Sequence, residues 1–198
     1  MKAVIAALAA ICLSSAAADP LAALRTALPA PALSLIDHRG APVSVASLGD
    51  QKVVLVTAVY STCGATCPMI MGQAKRAFAR LTPAQAAGLE VIAVTLDPSH
   101  DTGPVLAEMA RAQGIDDKAG WHLVTGDPDA VEATLDRWGF GRRRDPSTGV
   151  IEHANLFVLI DRAGRQAFRL SLGSGGRESW LGDALALLLD EPATPGAP

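Results

Sequence analysis

The sequence predicts an α/β fold in which a central mixed sheet is flanked by helices and preceded by an N-terminal β-hairpin. Three observations predict it. Residues 53–60 and 89–96 are near-continuous apolar, β-branched runs, the pattern of strands buried on both faces. Segments with helical apolar spacing alternate with such runs, which calls for parallel strands joined by helical crossovers. Late in the chain, residues 155–160 and 166–172 flank the turn residues Asp161-Arg162-Ala163-Gly164, the pattern of an antiparallel hairpin.

Taken in order, the N-terminus reads as an export signal over residues 1–18. Lys2 is a minimal charged region, residues 4–13 are apolar, and Ser15-Ala16-Ala17-Ala18 offers small residues for cleavage before Asp19. The apolar stretch falls short of the roughly 20 residues that span a bilayer. Cys12 follows Ile11, which is larger than a lipid-attachment site wants, so Cys12 leaves with the signal. Residues 19–31, rich in alanine and proline, read as a flexible linker, and order begins near Ala32.

Short apolar runs at 33–36 and 43–45 flank Asp37-His38-Arg39-Gly40, which is hairpin-turn chemistry. After the strand at 53–60, residues 68–81 place Ile70, Ala74, Ala77, Phe78 and Leu81 at helical spacing, with Lys75, Arg76 and Arg80 toward the negative end of the helix dipole. A second helix starts at Asp101 or Thr102, has Pro104 in its first turn, turns Val105, Leu106, Met109 and Ala110 inward and stops at Gly114. Residues 121–125 form a short strand. Asp127 caps a third helix with Pro128 at its first position, and Gly139 ends it. After the closing hairpin a last helix covers 178–189, and residues 191–198 form a loose, proline-rich tail. The order describes one thioredoxin-like domain over 32–190. A chain of 198 residues, 49% hydrophobic, suffices for one such core. A net charge of −3 provides no basic field for nucleic acid.

Without the signal, three cysteines become two, Cys63 and Cys67, in an oxidising compartment. One tight pair points to chemistry rather than to stapling. It lies in Ser61-Thr62-Cys63-Gly64-Ala65-Thr66-Cys67-Pro68, where the first buried strand gives way to the first helix. Pro68 suits the first helical position and disfavours helical geometry before it, which puts Cys67 at the N-cap and Cys63 in the loop. Free amides and the positive helix end favour the thiolate. Three intervening residues make a wider turn than a redox Cys-x-x-Cys motif, so a disulfide and a metal between the sulfurs both stay open. Two soft sulfurs favour copper(I) over harder ions. Among the four histidines, His153 is the candidate third ligand, since it stands just before the strand at 155–160. A lone histidine there also serves as a surface or capping residue, and the residues alone leave both readings open.

Four segments resemble the Sco/SenC family of copper chaperones for cytochrome oxidase assembly. They are Val53-Val54-Leu55-Val56 leading into Cys63-Gly64-Ala65-Thr66-Cys67-Pro68; Thr95-Leu96-Asp97-Pro98 with Asp101-Thr102; Leu123-Val124-Thr125-Gly126-Asp127-Pro128; and Glu152-His153 before Phe157-Val158-Leu159-Ile160-Asp161. The resemblance implies that Cys63, Cys67 and His153 bind one copper ion, Cu(I) or Cu(II). It further implies that the protein delivers copper to the binuclear copper site of the oxidase, or prepares that site's thiols. The expected partner is therefore a copper-accepting oxidase subunit or another periplasmic copper or thiol protein, with at most peripheral membrane contact. Departures are Gly64 where the family often has proline after the first cysteine, Glu152 where it often has aspartate, and no apparent membrane anchor.

Asp97 ends the second central strand at the edge where sites in open sheets lie, and it also reads as a turn former before Pro98. His38, His100 and His122 read as solvated. Arg142, Arg143 and Arg144 form the one basic run, in a segment that reads as an exposed loop, either plainly solvated or steering an acidic partner domain. Two other functions stand beside the chaperone: a thiol-disulfide oxidoreductase using Cys63 and Cys67 without metal, and a domain stapled by one structural disulfide. His153 separates them, because metal binding needs it and simple exchange does not.

Overall fold

The computed structural model describes residues 20–48, 51–171 and 180–192. The expected export signal and the tail beyond 192 lie outside these residues. The expected linker is not loose where it is described. Leu21 is buried, the Thr26 N–H donates to the Ala167 carbonyl at 2.8 Å, and β1 (Leu28–Pro29) pairs antiparallel with Gln166 and Arg165. The closing hairpin would otherwise leave a sheet edge open, and an edge tolerates a proline that cannot donate to the ladder.

The N-terminal hairpin forms as the sequence predicts, from β2 (Ser34–Asp37) and β3 (Pro42–Ser44). Its turn is held by the Asp37 carboxylate, which accepts the backbone N–H groups of Arg39 and Ala41 at 2.9 Å each. Gly40 takes the positive φ of +81° that the turn requires. A one-turn helix, α1 (Val45–Leu48), follows and takes in Val45, the last residue of the apolar run at 43–45.

β4 (Val53–Val59) is buried at all seven positions. It leads into α2 (Thr66–Ala79), which buries Ile70, Ala74 and Ala77 as the spacing predicts and Met71 besides, while Phe78 is partly buried and Leu81 lies past the helix end. A short helix, α3 (Pro83–Ala87), comes next and was not predicted; its signal is the capping box of Thr82 and Gln85. β5 (Leu89–Thr95) then runs parallel to β4, from Val53 opposite Leu89 to Val59 opposite Thr95.

α4 (Gly103–Gln113) starts after Thr102 and ends on Gly114, whose φ of +64° makes the left-handed cap. β6 (Trp121–Thr125) lies parallel to β5, and its outer edge takes up the N-terminal hairpin through Ile36 and Asp37. In α5 (Pro128–Arg137) the Asp127 carboxylate caps the Ala130 N–H. The segment predicted as an exposed loop instead forms a separate antiparallel ribbon, β7 (Arg142–Arg144) with β8 (Ile151–His153). β9 (Leu156–Ile160) and β10 (Arg165–Ser171) make the closing hairpin, and α6 (Trp180–Asp190) buries Leu181, Leu185 and Leu188.

The large sheet runs β1-β10-β9-β4-β5-β6-β2-β3. Parallel pairing is confined to β4-β5-β6, where helical crossovers return the chain to the same end. β9 adds antiparallel to β4, so the closing hairpin continues the sheet with β1 beyond it. The carboxyl ends of β4 and β5 are where the chain leaves the sheet for the motif, and open α/β sheets place their sites at that edge.

Candidate metal and thiol centre

β4 ends at Val59, and Tyr60 and Ser61 carry the chain over the sheet edge. Two anchors fix this crossing. The Cys63 N–H donates to the Tyr60 carbonyl at 3.3 Å. The fully buried carboxylate of Asp101 accepts the Ser61 N–H at 3.1 Å, the Ser61 hydroxyl, and the Thr95 hydroxyl at 2.6 Å. In the sequence Asp101 reads as a helix start and as part of the segment that resembles the family, and nothing in its spacing shows that it supports the cysteine loop.

The helix begins at Thr66, so Cys67 is its second residue rather than its N-cap. Proline is acceptable throughout a first turn, where the missing N–H has no intrahelical partner to lose. That position buries Cys67 to 1% exposure, while Cys63 stays half-exposed in the loop. Ala65 at the cap has no side-chain acceptor, and Cys63 Sγ fills the role by accepting the Cys67 N–H at 3.2 Å.

This arrangement polarises the pair. Partial burial pushes the Cys63 thiol up, but hydrogen bonds from the Cys67 thiol and N–H, from Thr66 and from the Ala65 N–H outweigh it and bring it down to about 6. Cys67 moves the other way: its burial first, and then Cys63 opposite it, drive its thiol far above the ordinary range.

His153 arrives from the end of β8. Its Nε2 lies 3.8 Å from Cys67 Sγ and 3.3 Å from Thr66 Oγ1, and its Nδ1 lies 3.4 Å from the Ala154 carbonyl. A carbonyl only accepts, so this contact favours the tautomer with its proton on Nδ1, which leaves Nε2 toward the cysteines. The Tyr60 ring meets the imidazole edge-on at 5.9 Å between centroids. Among the described residues, Cys63, Cys67 and His153 are the group of His, Cys, Asp and Glu with metal-ligating geometry, their ligand atoms all within 4.8 Å of one another. Bonds of about 2.3 Å to sulfur and about 2.0 Å to nitrogen put ligand atoms around one ion roughly 3.5–4.5 Å apart. Sub-ångström side-chain adjustments therefore close the group on an ion, and its soft donor set suits copper.

A largely apolar cleft of about 330 Å³ opens beside the cysteines, with Tyr60, Pro68, Val105 and Met109 among its walls.

Other expected site residues fall elsewhere. Asp97 lies outside the Cys-Cys-His group and holds Arg144 at 2.7 Å. Each arginine of the basic run has an acidic partner: Glu132 and Asp136 for Arg142, Glu152 for Arg143, and Asp97 for Arg144. The run is thus paired within the domain, with Arg142 largely buried and Arg143 and Arg144 still exposed. His100 is exposed as expected, but His38 and His122 are not solvated. His38 is 7% exposed and accepts the Leu123 N–H through Nδ1, and His122 lies 3.1 Å from both Asp37 and Glu90.

A family model described as SCO1/SenC matches residues 24–177. No curated protein sequence matches the chain. Several solved structures share its fold. A SCO1/SenC family lipoprotein from Bacillus anthracis superposes with a TM-score of 0.70 at 17% identity, covering 83% of this chain and 96% of the other. Bradyrhizobium japonicum ScoI, solved with copper bound, gives 0.67 at 20% identity over 82% and 99% of the two chains. BsSco, a member of the Sco family of cytochrome c oxidase assembly proteins described with a disulfide switch, gives 0.67 at 17% identity over 83% and 95%. These likenesses establish the thioredoxin-like fold.

Proposed function

The chain belongs to the SCO1/SenC family, and from that premise we propose that it is an exported copper chaperone whose cargo ion is held by Cys63, Cys67 and His153. The observation that carries this reading is the convergence of those three side chains from two separate elements to within 4.8 Å. A structural disulfide needs no histidine, and simple thiol exchange needs none either. The copper-bound relative and the oxidase-assembly description of BsSco support copper as the cargo and a copper-accepting oxidase subunit as the client. The N-terminal sequence supports export to the periplasm, and no helix among the described residues is long and apolar enough to cross a membrane.

The residues divide the work of such a site. Cys63, half-exposed with its thiol brought down to about 6, is a thiolate at neutral pH and the sulfur that an incoming ion or partner meets first. Cys67, buried, surrenders its proton only when an ion or a bond replaces it. The same polarity favours one second reading, thiol-disulfide exchange. Cys63 thiolate attacks a partner disulfide and one partner sulfur leaves as thiolate; Cys67 then gives its proton to that thiolate and attacks Cys63 Sγ in the mixed disulfide, breaking the bond to the second partner sulfur, which leaves as thiolate. The pair ends as a disulfide, and the partner gains two electrons.

Copper stoichiometry of the reduced mature protein tests the proposal, measured beside His153→Ala and Cys63→Ser/Cys67→Ser. One ion per chain is expected, abolished without the cysteines and much weakened without His153. A parent protein that binds no copper tightly but exchanges disulfides readily would overturn it in favour of the second reading.

A further inference from the structure

His153 is not on the large sheet. It sits on the β7–β8 ribbon, which is a sheet of its own, so its place beside the cysteines depends on what ties that ribbon down. Cross-strand pairing puts Arg142 opposite His153 and Arg144 opposite Ile151, while alternation puts Arg142, Arg144, Ile151 and His153 on one face. Arg143 and Glu152 pair on the other face, largely exposed.

From the shared face the ribbon is fastened at three places. Ile151 is buried, and its N–H donates to the Tyr60 hydroxyl at 3.3 Å. Arg142 binds Glu132 and Asp136 on α5. Arg144 binds Asp97 at 2.7 Å. The last tie differs in where it leads. Asp97 lies in the loop after β5, where its carbonyl accepts the Asp101 N–H at 2.7 Å and its N–H donates to Thr95 Oγ1 at 3.0 Å. Asp101 and Thr95 are hydrogen-bonded to each other, and Asp101 also holds Ser61, two residues before Cys63. A continuous chain of contacts thus runs from the cysteine loop through Asp101 and Asp97 to Arg144, and along the ribbon to His153.

We infer that Arg144 is a positioning residue: its ion pair with Asp97 latches the histidine-bearing ribbon to the β5–α4 loop, whose Asp101 braces the cysteine loop, and so sets the spacing of the two halves of the metal site. The inference rests on the proposed copper function for its meaning but has its own readout in the metal-free protein. Asp97, weighed in the sequence as a site residue in its own right, acts here through Arg144. Outer-sphere partners that orient metal ligands typically cost about 10- to 100-fold in affinity when lost. Arg144 is half-exposed, which puts the latch at the low end, about tenfold.

The test compares Arg144→Gln, Asp97→Asn, the double variant and Arg143→Gln by two measurements. One is copper(I) affinity by competition with a chromophoric chelator; the other is hydrogen exchange of the Ile151 amide in the metal-free protein. Each latch variant is expected to lose about tenfold in affinity and to exchange Ile151 about tenfold faster, with the double no worse than either single. Arg143→Gln is expected to match the parent. Parental affinity and parental exchange in Arg144→Gln would overturn the latch, as would an Arg143→Gln effect of equal size. If the parent protein takes no copper, the proposed function fails, and Ile151 exchange still decides the latch.

Discussion

Replacing Asp101 probes the support of the cysteine loop. Its fully buried carboxylate takes the Ser61 N–H, the Ser61 hydroxyl and the Thr95 hydroxyl. In Asp101→Ala all three donors lose their acceptor. A buried unpaired donor costs about 1–3 kcal/mol, and the hydroxyls can partly reorient, so the loss should total about 3–5 kcal/mol. Asp101→Asn keeps the shape and one acceptor oxygen. With its amide turned toward the Ser61 hydroxyl, which can reverse and accept, the loss should be about 1–2 kcal/mol. The assay is urea unfolding of the reduced, metal-free protein followed by circular dichroism. With a slope of about 2 kcal/mol per molar, the alanine variant's midpoint should fall by about 2 M and the asparagine variant's by under about 1 M. The reasoning is refuted if alanine costs less than about 1 kcal/mol, or if asparagine is as damaging as alanine.

Two further predictions concern titration. Cys63, whose thiol is brought down to about 6, should be alkylated at a rate that rises through that pH and is near its plateau at neutrality, while Cys67 lags throughout; labelling of the reduced protein followed by mass spectrometry would contradict this by finding the two equally reactive. Burial alone would raise the Asp37 carboxyl, but hydrogen bonds from the Ala41 N–H, the Arg39 side chain, His122 and the Arg39 N–H hold it at about 2. A depressed carboxyl stabilises the fold above its unfolded value near 3.9, and that stability is lost as pH falls toward 2. Asp37→Asn should therefore cost about 2 kcal/mol at neutral pH, with the gap to the parent narrowing below about pH 4. Unfolding midpoints that stay equally far apart across that range would contradict it.

Much of the fold was legible because its signals are local. Seven buried positions in a row in β4 and again in β5, helical spacing in α2, Asp127 with Pro128, and Gly114 as a left-handed cap are each set by neighbours in the chain. The Cys63–Cys67 pair and its place at a strand-to-helix junction were legible for the same reason. Elements whose order depends on distant partners were not. β1 exists because β10 has an open edge, and the β7–β8 ribbon exists because Glu132, Asp136 and Asp97 wait for the arginines that looked like a free basic run. By itself the sequence determined the strand and helix alternation and the soft chemistry of the Cys63–Cys67 pair. Only the tertiary structure decided that Cys67 is buried while Cys63 is only partly so, that a carboxylate stands behind their loop, and that His153 reaches Cys67 from 86 residues away. The physical reason is that burial, pKa and ligand spacing are properties of what surrounds a side chain. Here those surroundings are assembled from segments far apart in the chain.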